Sequence, residues 1–324
     1  MLYPLKFQPI LKEKIWGGTK LKTLYNKILA SDQTGESWEL SGMDGSESVV
    51  INGSLKGNTI TELIEMYKGS LVGDKVYRQF GLTFPLLFKF IDANYDLSIQ
   101  VHPNDEIASQ KHKSYGKTEL WYVVDADPGT EMILGFSKNF SREDYQKAIV
   151  RGEVEKVHQK IPVKKGDVLY IPAGTVHGIG GGTLLVEIQQ TSDVTYRIYD
   201  YKRLDEHGRE RDLHIDQALD AINFGALHDP KIFYDDIKNT VNLLVSNKYF
   251  TTNFLHLDSP IRRSYTHLDS FVVFICVDGS VHIESALGTV TLEKGETLLI
   301  PAVADEISLI PDSESILLET YILL

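Results

Sequence analysis

One stretch of this chain is used twice. Val163-Lys164-Lys165-Gly166-Asp167-Val168-Leu169-Tyr170-Ile171-Pro172-Ala173 returns as Leu292-Glu293-Lys294-Gly295-Glu296-Thr297-Leu298-Leu299-Ile300-Pro301-Ala302. Each copy is a Lys-Gly-acidic turn, a short apolar strand and then Ile-Pro-Ala. A repeat of this kind means one supersecondary unit built twice. Strand-like runs bounded by Gly, Pro, Asn and Asp surround both copies: Val49 to Ile51, Leu86 to Ile91, Leu97 to Val101, Leu120 to Val124 and Met132 to Leu134. Leu184 to Ile188 and Phe271 to Val277 continue the series. Many short strands separated by turns predict a mainly β fold of two related barrels with few helices. Helices are expected over Thr59 to Met66, from Ser141 to Ile149 with Ser141 as cap, and over Ile215 to Ile222. The expected division is residues 1–204 as a metal-binding first barrel with N-terminal strands and a helical segment, 205–242 as a connector with a helix, and 243–324 as a second barrel lacking metal ligands.

Composition narrows the classes. With 42% hydrophobic and 24% charged residues in 324, the chain has the balance of a soluble globular protein with real cores. No run approaches the ~18 apolar residues needed to span a bilayer. The start, Met1-Leu2-Tyr3-Pro4-Leu5-Lys6-Phe7, has neither the basic region nor the apolar stretch of a signal peptide. The single cysteine, Cys276, fits a reducing compartment. The expectation is therefore a cytoplasmic protein with no membrane partner. A net charge of −12 argues against a nucleic-acid surface. It leaves an anionic small substrate open, since a pocket needs only a few local Lys or Arg. Oligomeric state is not inferable.

The candidate chemistry begins at Ser98-Ile99-Gln100-Val101-His102-Pro103. In an extended segment Ser98, Gln100 and His102 share one face and Ile99 and Val101 the other. Gln oxygen and His nitrogen suit a borderline cation such as zinc, with Glu119 and His177 as further ligands. Continuing the repeat without gaps sets His177 opposite Glu306, so the second copy keeps the scaffold without the histidine. Lys117 shares strand parity with Glu119. Lys89 interrupts the apolar run Leu86-Leu87-Phe88-Lys89-Phe90-Ile91, where a charge needs a partner; a structural ion pair and an anionic ligand stand on equal footing. Ser98 either binds substrate or is an ordinary strand hydroxyl. Arg197 suits a phosphate or a developing oxyanion, against a surface ion pair with Asp200 or Glu187. Glu187 is either a general base or an orienter of Arg197. Gly180-Gly181-Gly182 reads as a tight turn, Arg209-Glu210-Arg211-Asp212 as a solvated connector, Trp16, Trp38 and Trp121 mainly as core, and the remaining histidines as ordinary.

Lys-Gly-Asp-x-x-x-Ile-Pro-Ala-Gly-x-x-His resembles the second conserved block of the cupin superfamily. Six further stretches, in order, resemble the zinc-dependent type I mannose-6-phosphate isomerases in their short bacterial form. They are Glu13-Lys14-Ile15-Trp16-Gly17-Gly18, Glu36-Ser37-Trp38-Glu39-Leu40-Ser41, Pro85 to Ile91, Leu97 to Pro103, Gly116-Lys117-Thr118-Glu119 and Thr195-Tyr196-Arg197. The resemblance implies two cupin-type (jelly-roll) barrels and one Zn2+ on Gln100, His102, Glu119 and His177. It also implies an active-site Arg197, pocket lysines at Lys89 and Lys117, and a carboxylate at Glu187, which one extra residue separates from His177 relative to the family. The long helical insertion of the larger eukaryotic form is missing, since 58 positions separate Glu119 from His177. The expected reaction interconverts mannose 6-phosphate and fructose 6-phosphate by proton transfer through an enediol. Alternatives are an iron oxygenase or another sugar-phosphate isomerase of the same fold, or a non-catalytic sugar-binding cupin.

Overall fold

The structure, a computed structural model, describes residues 1–204 and 207–324; the expected start of the connector, Asp205, lies outside the described residues. The chain forms two compact units, and they interleave. Leu11–Trp38 and Phe88–Ile232 make one; Met1–Ile10, Glu39–Leu87 and Phe233–Leu324 make the other. The linear division at 204 and 242 is corrected accordingly. The reason is local pairing: the strand Leu5–Lys6 lies antiparallel to Thr297–Ile300, so the N-terminus extends the sheet built by the C-terminal residues.

The unit containing residues 88–232 has a seven-stranded and a five-stranded sheet. The first runs in the order Lys231–Ile232, Val168–Ile171, Glu119–Ala126, Thr183–Gln190, Leu86–Ala93, Thr34–Leu40, Ile10–Gly18. The second runs His158–Pro162, Glu131–Phe136, His177–Gly178, Ile99–Val101, Tyr196–Tyr199. Trp121, Leu185, Leu169 and Ile91 from the larger sheet pack with Met132 and Leu134 from the smaller in one core.

The outer face of the five-stranded sheet is covered by helices. Ile99, Val101, Tyr196 and Ile198 pack there with Tyr145 from the helix Arg142–Val150 and with Ala218 and Leu219 from Ile215–Ala221. Burying side chains of this size stabilises by about 1.5–3 kcal/mol each. A one-residue slip of Ile99–Val101 would drive Gln100 into that apolar layer, so packing fixes the register that turns Gln100 inward.

Pro103 cannot donate to a ladder, and Asn104 then caps a helix over Asp105–His112, its side chain accepting from the Ile107 amide at 3.0 Å. Asp105 Oδ1 accepts from the Gly116 amide (2.9 Å) and from Gln190 Nε2 (2.8 Å), which returns the chain to the sheet next to Lys117.

The other unit repeats the plan with six-stranded and four-stranded sheets around Leu255, Phe274, Ile283, Leu298 and Leu317. Both repeat turns use a glycine in the left-handed region, Gly166 at φ +87° and Gly295 at φ +82°, and both lead into the expected strands, Val168–Ile171 and Thr297–Ile300. The expected helix over Thr59 to Met66 forms as Ile60–Tyr67, with Thr59 and Glu62 in a reciprocal capping box. Val49 to Ile51 forms isolated bridges at Val49 and Val50 rather than a strand. No helix among the described residues is long and apolar enough to cross a membrane.

Candidate metal centre and substrate cleft

His177 stands opposite Gln100 in the five-stranded sheet, and Arg197 stands opposite Gln100 on its other side. Glu119 opens the neighbouring strand of the larger sheet, paired with Ile171 and Gln189. The two sheets therefore bring His102, Glu119 and His177 together, with ligand atoms all within 4.8 Å of one another and all three side chains buried. Glu119 Oε1 lies 3.3 Å from His102 Nε2, and Oε2 lies 3.8 Å from His177 Nε2.

The tautomers follow from the far side of each ring. His102 Nδ1 is 2.9 Å from the Val194 carbonyl and His177 Nδ1 is 2.9 Å from the Thr175 carbonyl. A carbonyl only accepts, so each Nδ1 carries the proton and each neutral ring turns an Nε2 lone pair toward Glu119. Burial, with the charge of Lys117, holds His102 down at about 3, and burial likewise lowers His177, so both rings are neutral near pH 7. Burial alone would raise Glu119, yet the Lys117 ammonium beside it holds it well below the carboxylate range.

Two lone pairs thus converge on an ionised carboxylate. Lys117 Nζ reaches into the group, 2.5 Å from Glu119 Oε1 and 3.1 Å from His102 Nε2, but neither Glu119 oxygen receives a hydrogen bond of good geometry. An arrangement rich in lone pairs and short of donors fits a cation. Gln100 is at its edge, with Nε2 3.4 Å from His177 Nε2 and Oε1 accepting from Ser98 Oγ at 3.2 Å. The four expected ligands are therefore brought to one place.

A cleft of about 140 Å³ opens beside this group. Its wall carries five cationic side chains, Lys14, Lys89, Lys117, Arg197 and Arg211, against the carboxylates Glu36, Glu187 and Asp193. A chain of net charge −12 thus presents a locally cationic cleft. Lys89 forms the ion pair its sequence allowed, and it does so at the cleft wall. It donates to Glu187 Oε1 at 2.9 Å and to Gln189 Oε1 at 2.7 Å, and it lines the cleft. Burial opposes its charge, but Glu187 and Glu36 overcome this and raise it. Trp121 Nε1 donates to Glu187 Oε2 at 3.0 Å, so each oxygen of that carboxylate has one donor.

A second carboxylate is held in the same way and was missed in the sequence. Glu36 accepts from Trp38 Nε1 at 2.6 Å and pairs with Lys14 at 3.1 Å; against the effect of burial, Lys89 and Lys14 pull it down to about 2. Lys14 and Trp16, like Glu36 and Trp38, are two residues apart on strands, and a parity argument would have set them on the cleft face. Arg211 corrects an expectation outright. It belongs to the cleft wall, not to a solvated connector, because Asp200 draws it in. Arg197 does not pair with Asp200 or Glu187; its NH1 donates to the Asp212 carbonyl at 2.9 Å, and its buried Nε has no partner among the described residues.

Two paired β sheets with a buried imidazole–carboxylate–imidazole group beside a cationic cleft define a cupin with a site able to hold a metal ion. The family model for the phosphomannose isomerase type I catalytic domain matches residues 4–134, and that for the mannose-6-phosphate isomerase cupin domain matches residues 239–317. The chain is 36% identical over 304 residues to mannose-6-phosphate isomerase ManA of Bacillus subtilis, covering 92% of this chain and 93% of the relative. It is 36% identical over 302 residues to mannose-6-phosphate isomerase of Streptococcus mutans, covering 93% of each. The crystal structure of the mannose 6-phosphate isomerase from Bacillus subtilis superposes with a TM-score of 0.89 at 32% identity, over 99% of this chain and 100% of that one. The chain is an isomerase and belongs to the type I mannose-6-phosphate isomerase family.

Proposed function

We propose that the chain interconverts mannose 6-phosphate and fructose 6-phosphate through an enediol, with one Zn2+ held by Gln100, His102, Glu119 and His177. The observation that carries the reading is the pair of neutral Nε2 lone pairs aimed at a buried Glu119 whose oxygens lack hydrogen bonds. Nitrogen and oxygen donors of this kind suit zinc, and a single carboxylate leaves the site formally +1. A half-turn of the Gln100 amide exchanges its oxygen and nitrogen between His177 and Ser98, so the ligand oxygen is available without moving the strand. When bound, the ion supplies Lewis acidity toward a sugar oxygen.

The other residues handle protons and charge. Isomerisation removes the proton on C2 and returns it to C1, while the proton on the C2 oxygen passes to the C1 oxygen, so none is lost. Glu187 is assigned the carbon-to-carbon transfer: each of its oxygens accepts one bond, from Lys89 or Trp121, and keeps a lone pair. Arg197 and Lys117 manage the substrate's negative charge, with Lys117 balancing what develops on the sugar oxygens beside the ligand group. Lys89 and Ser98 contribute to substrate binding, and the sugar phosphate is the only partner the reading requires.

The test is a coupled assay of mannose 6-phosphate isomerisation on chelator-treated protein before and after metal is returned. Activity lost on chelation and restored by zinc is the expected result. An iron-loaded protein that consumes oxygen, or one that zinc cannot activate, would overturn the reading.

A further inference from the structure

Arg211 lines the cleft together with Arg197, yet it comes from a different segment. Its guanidinium is locked in a two-pronged fork on Asp200, Nε to Oδ2 at 2.6 Å and NH2 to Oδ1 at 2.5 Å, and Asp200 is only 5% exposed. A fork of this geometry fixes the plane of an arginine and leaves its third nitrogen outside the fork. The segment that carries Arg211 is tied to Arg197 at three points. The Asp212 carbonyl accepts from Arg197 NH1 (2.9 Å), the His214 amide donates to the Arg197 carbonyl (2.7 Å), and the Arg197 amide donates to His214 Nδ1 (3.2 Å).

Charge accounting around Asp200 is lopsided. This one carboxylate also takes Arg203 NH2, and Arg197 lies within reach of both Asp200 and Asp212, so three guanidinium groups gather where two carboxylates stand. The cationic excess suits a phosphate monoester, which carries about −1.5 to −2 at neutral pH. Two of the three arginines, Arg197 and Arg211, face the cleft. We propose that Arg211, positioned by Asp200, is a specificity-determining residue that binds the substrate's phosphate jointly with Arg197. The proposal rests on the sugar-phosphate isomerase reading and adds a residue to it. Arg197 lines the cleft, and Arg211 beside it brings a rigid second guanidinium. A planar pair of this sort favours a tetrahedral dianion over an uncharged hydroxymethyl group.

The experiment compares wild type with Arg211→Gln by calorimetric titration of inorganic phosphate and by steady-state kinetics on mannose 6-phosphate. The expected result is phosphate affinity weakened by about tenfold or more, a similar rise in KM, and kcat within about threefold. Phosphate affinity and KM both within twofold of wild type would overturn the proposal. So would a fall in kcat with KM unchanged, which marks a structural tie only. If the glutamine variant does not fold, Arg211→Lys carries the test, because lysine keeps the charge but not the fork; unchanged phosphate affinity in that variant also overturns the proposal. Phosphate titration needs no turnover, so an inactive wild type would count against the isomerase reading and still leave this result readable.

Discussion

Lys89 and Glu187 form an ion pair of 2.9 Å between two buried side chains, with the Trp38 ring 5.3 Å from the lysine and the Trp121 indole on the carboxylate's other oxygen. Two donors hold Glu187 in one orientation at the cleft wall, and that is what a proton carrier needs. Glu187→Gln removes the basic oxygen while keeping the shape. It is expected to lower kcat by about 10²–10⁴ with little change in fold. Steady-state assays with circular dichroism check this, and a variant retaining most of its kcat would take the role away from Glu187.

Among the described residues, Lys117 is the only cation in contact with the ligand group, touching both Glu119 and His102. Its ammonium repels a metal ion held by the same atoms. Lys117→Met is therefore expected to keep or strengthen zinc binding while turnover falls by about 10² or more. His177→Ala is expected to lose metal. Elemental analysis of the two variants beside their kcat values separates charge handling from metal retention.

His158 is buried away from the cleft, with Nδ1 facing the Gly135 carbonyl at 3.1 Å and Nε2 accepting from the Tyr145 hydroxyl at 2.9 Å. Burial lowers it from 6.5 to about 4. The unfolded chain then binds this proton at a higher pH than the folded one does. Stability is complete above about pH 6.5, falls as pH drops toward about 4, and the loss from this group levels off below that; it amounts to at most about 3 kcal/mol. His158→Gln is expected to flatten that part of a Tm-against-pH curve, and an unchanged slope would contradict the assignment.

In the other unit, Glu319 is fully buried and receives a forked pair of bonds from Arg263, both 2.9 Å, with Tyr265 and Asn253 completing its shell. Removing one partner strands the other's charge. Glu319→Leu is expected to destabilise by about 3–5 kcal/mol, while the double variant Arg263→Met with Glu319→Leu recovers much of the loss. Denaturant titration of the single and double variants measures the difference.

The inward face of the Ile99–Val101 strand was legible because Ile99 and Val101 alternate with Gln100, and period two forces the outcome. The helix at Ile60–Tyr67 was legible because Thr59 and Glu62 carry the capping box. The helix over Asp105–His112 escaped, since its apolar face is little more than Ala108 and only Asn104 marks its start. Arg211 escaped for a different reason. In sequence it sits among alternating charges, and only the distant carboxylate of Asp200 makes it part of the cleft. Long-range ion pairing leaves no periodic trace. The interleaved units were hidden likewise, because the two residues of Leu5–Lys6 do not announce a partner near residue 298.

That pairing sets an order of events during synthesis. Leu5 waits for Leu299, and Lys6 for Leu298, so the edge strand stays without its place in the sheet until those residues have been made. At about 5–20 residues per second, the wait is on the order of 15–60 s. The Leu5–Lys6 strand is therefore among the last to gain its place in the sheet, and until residues 297–300 are made it has only its contacts with residues 49–52, where the Lys6 carbonyl accepts from the Ile51 amide at 2.9 Å.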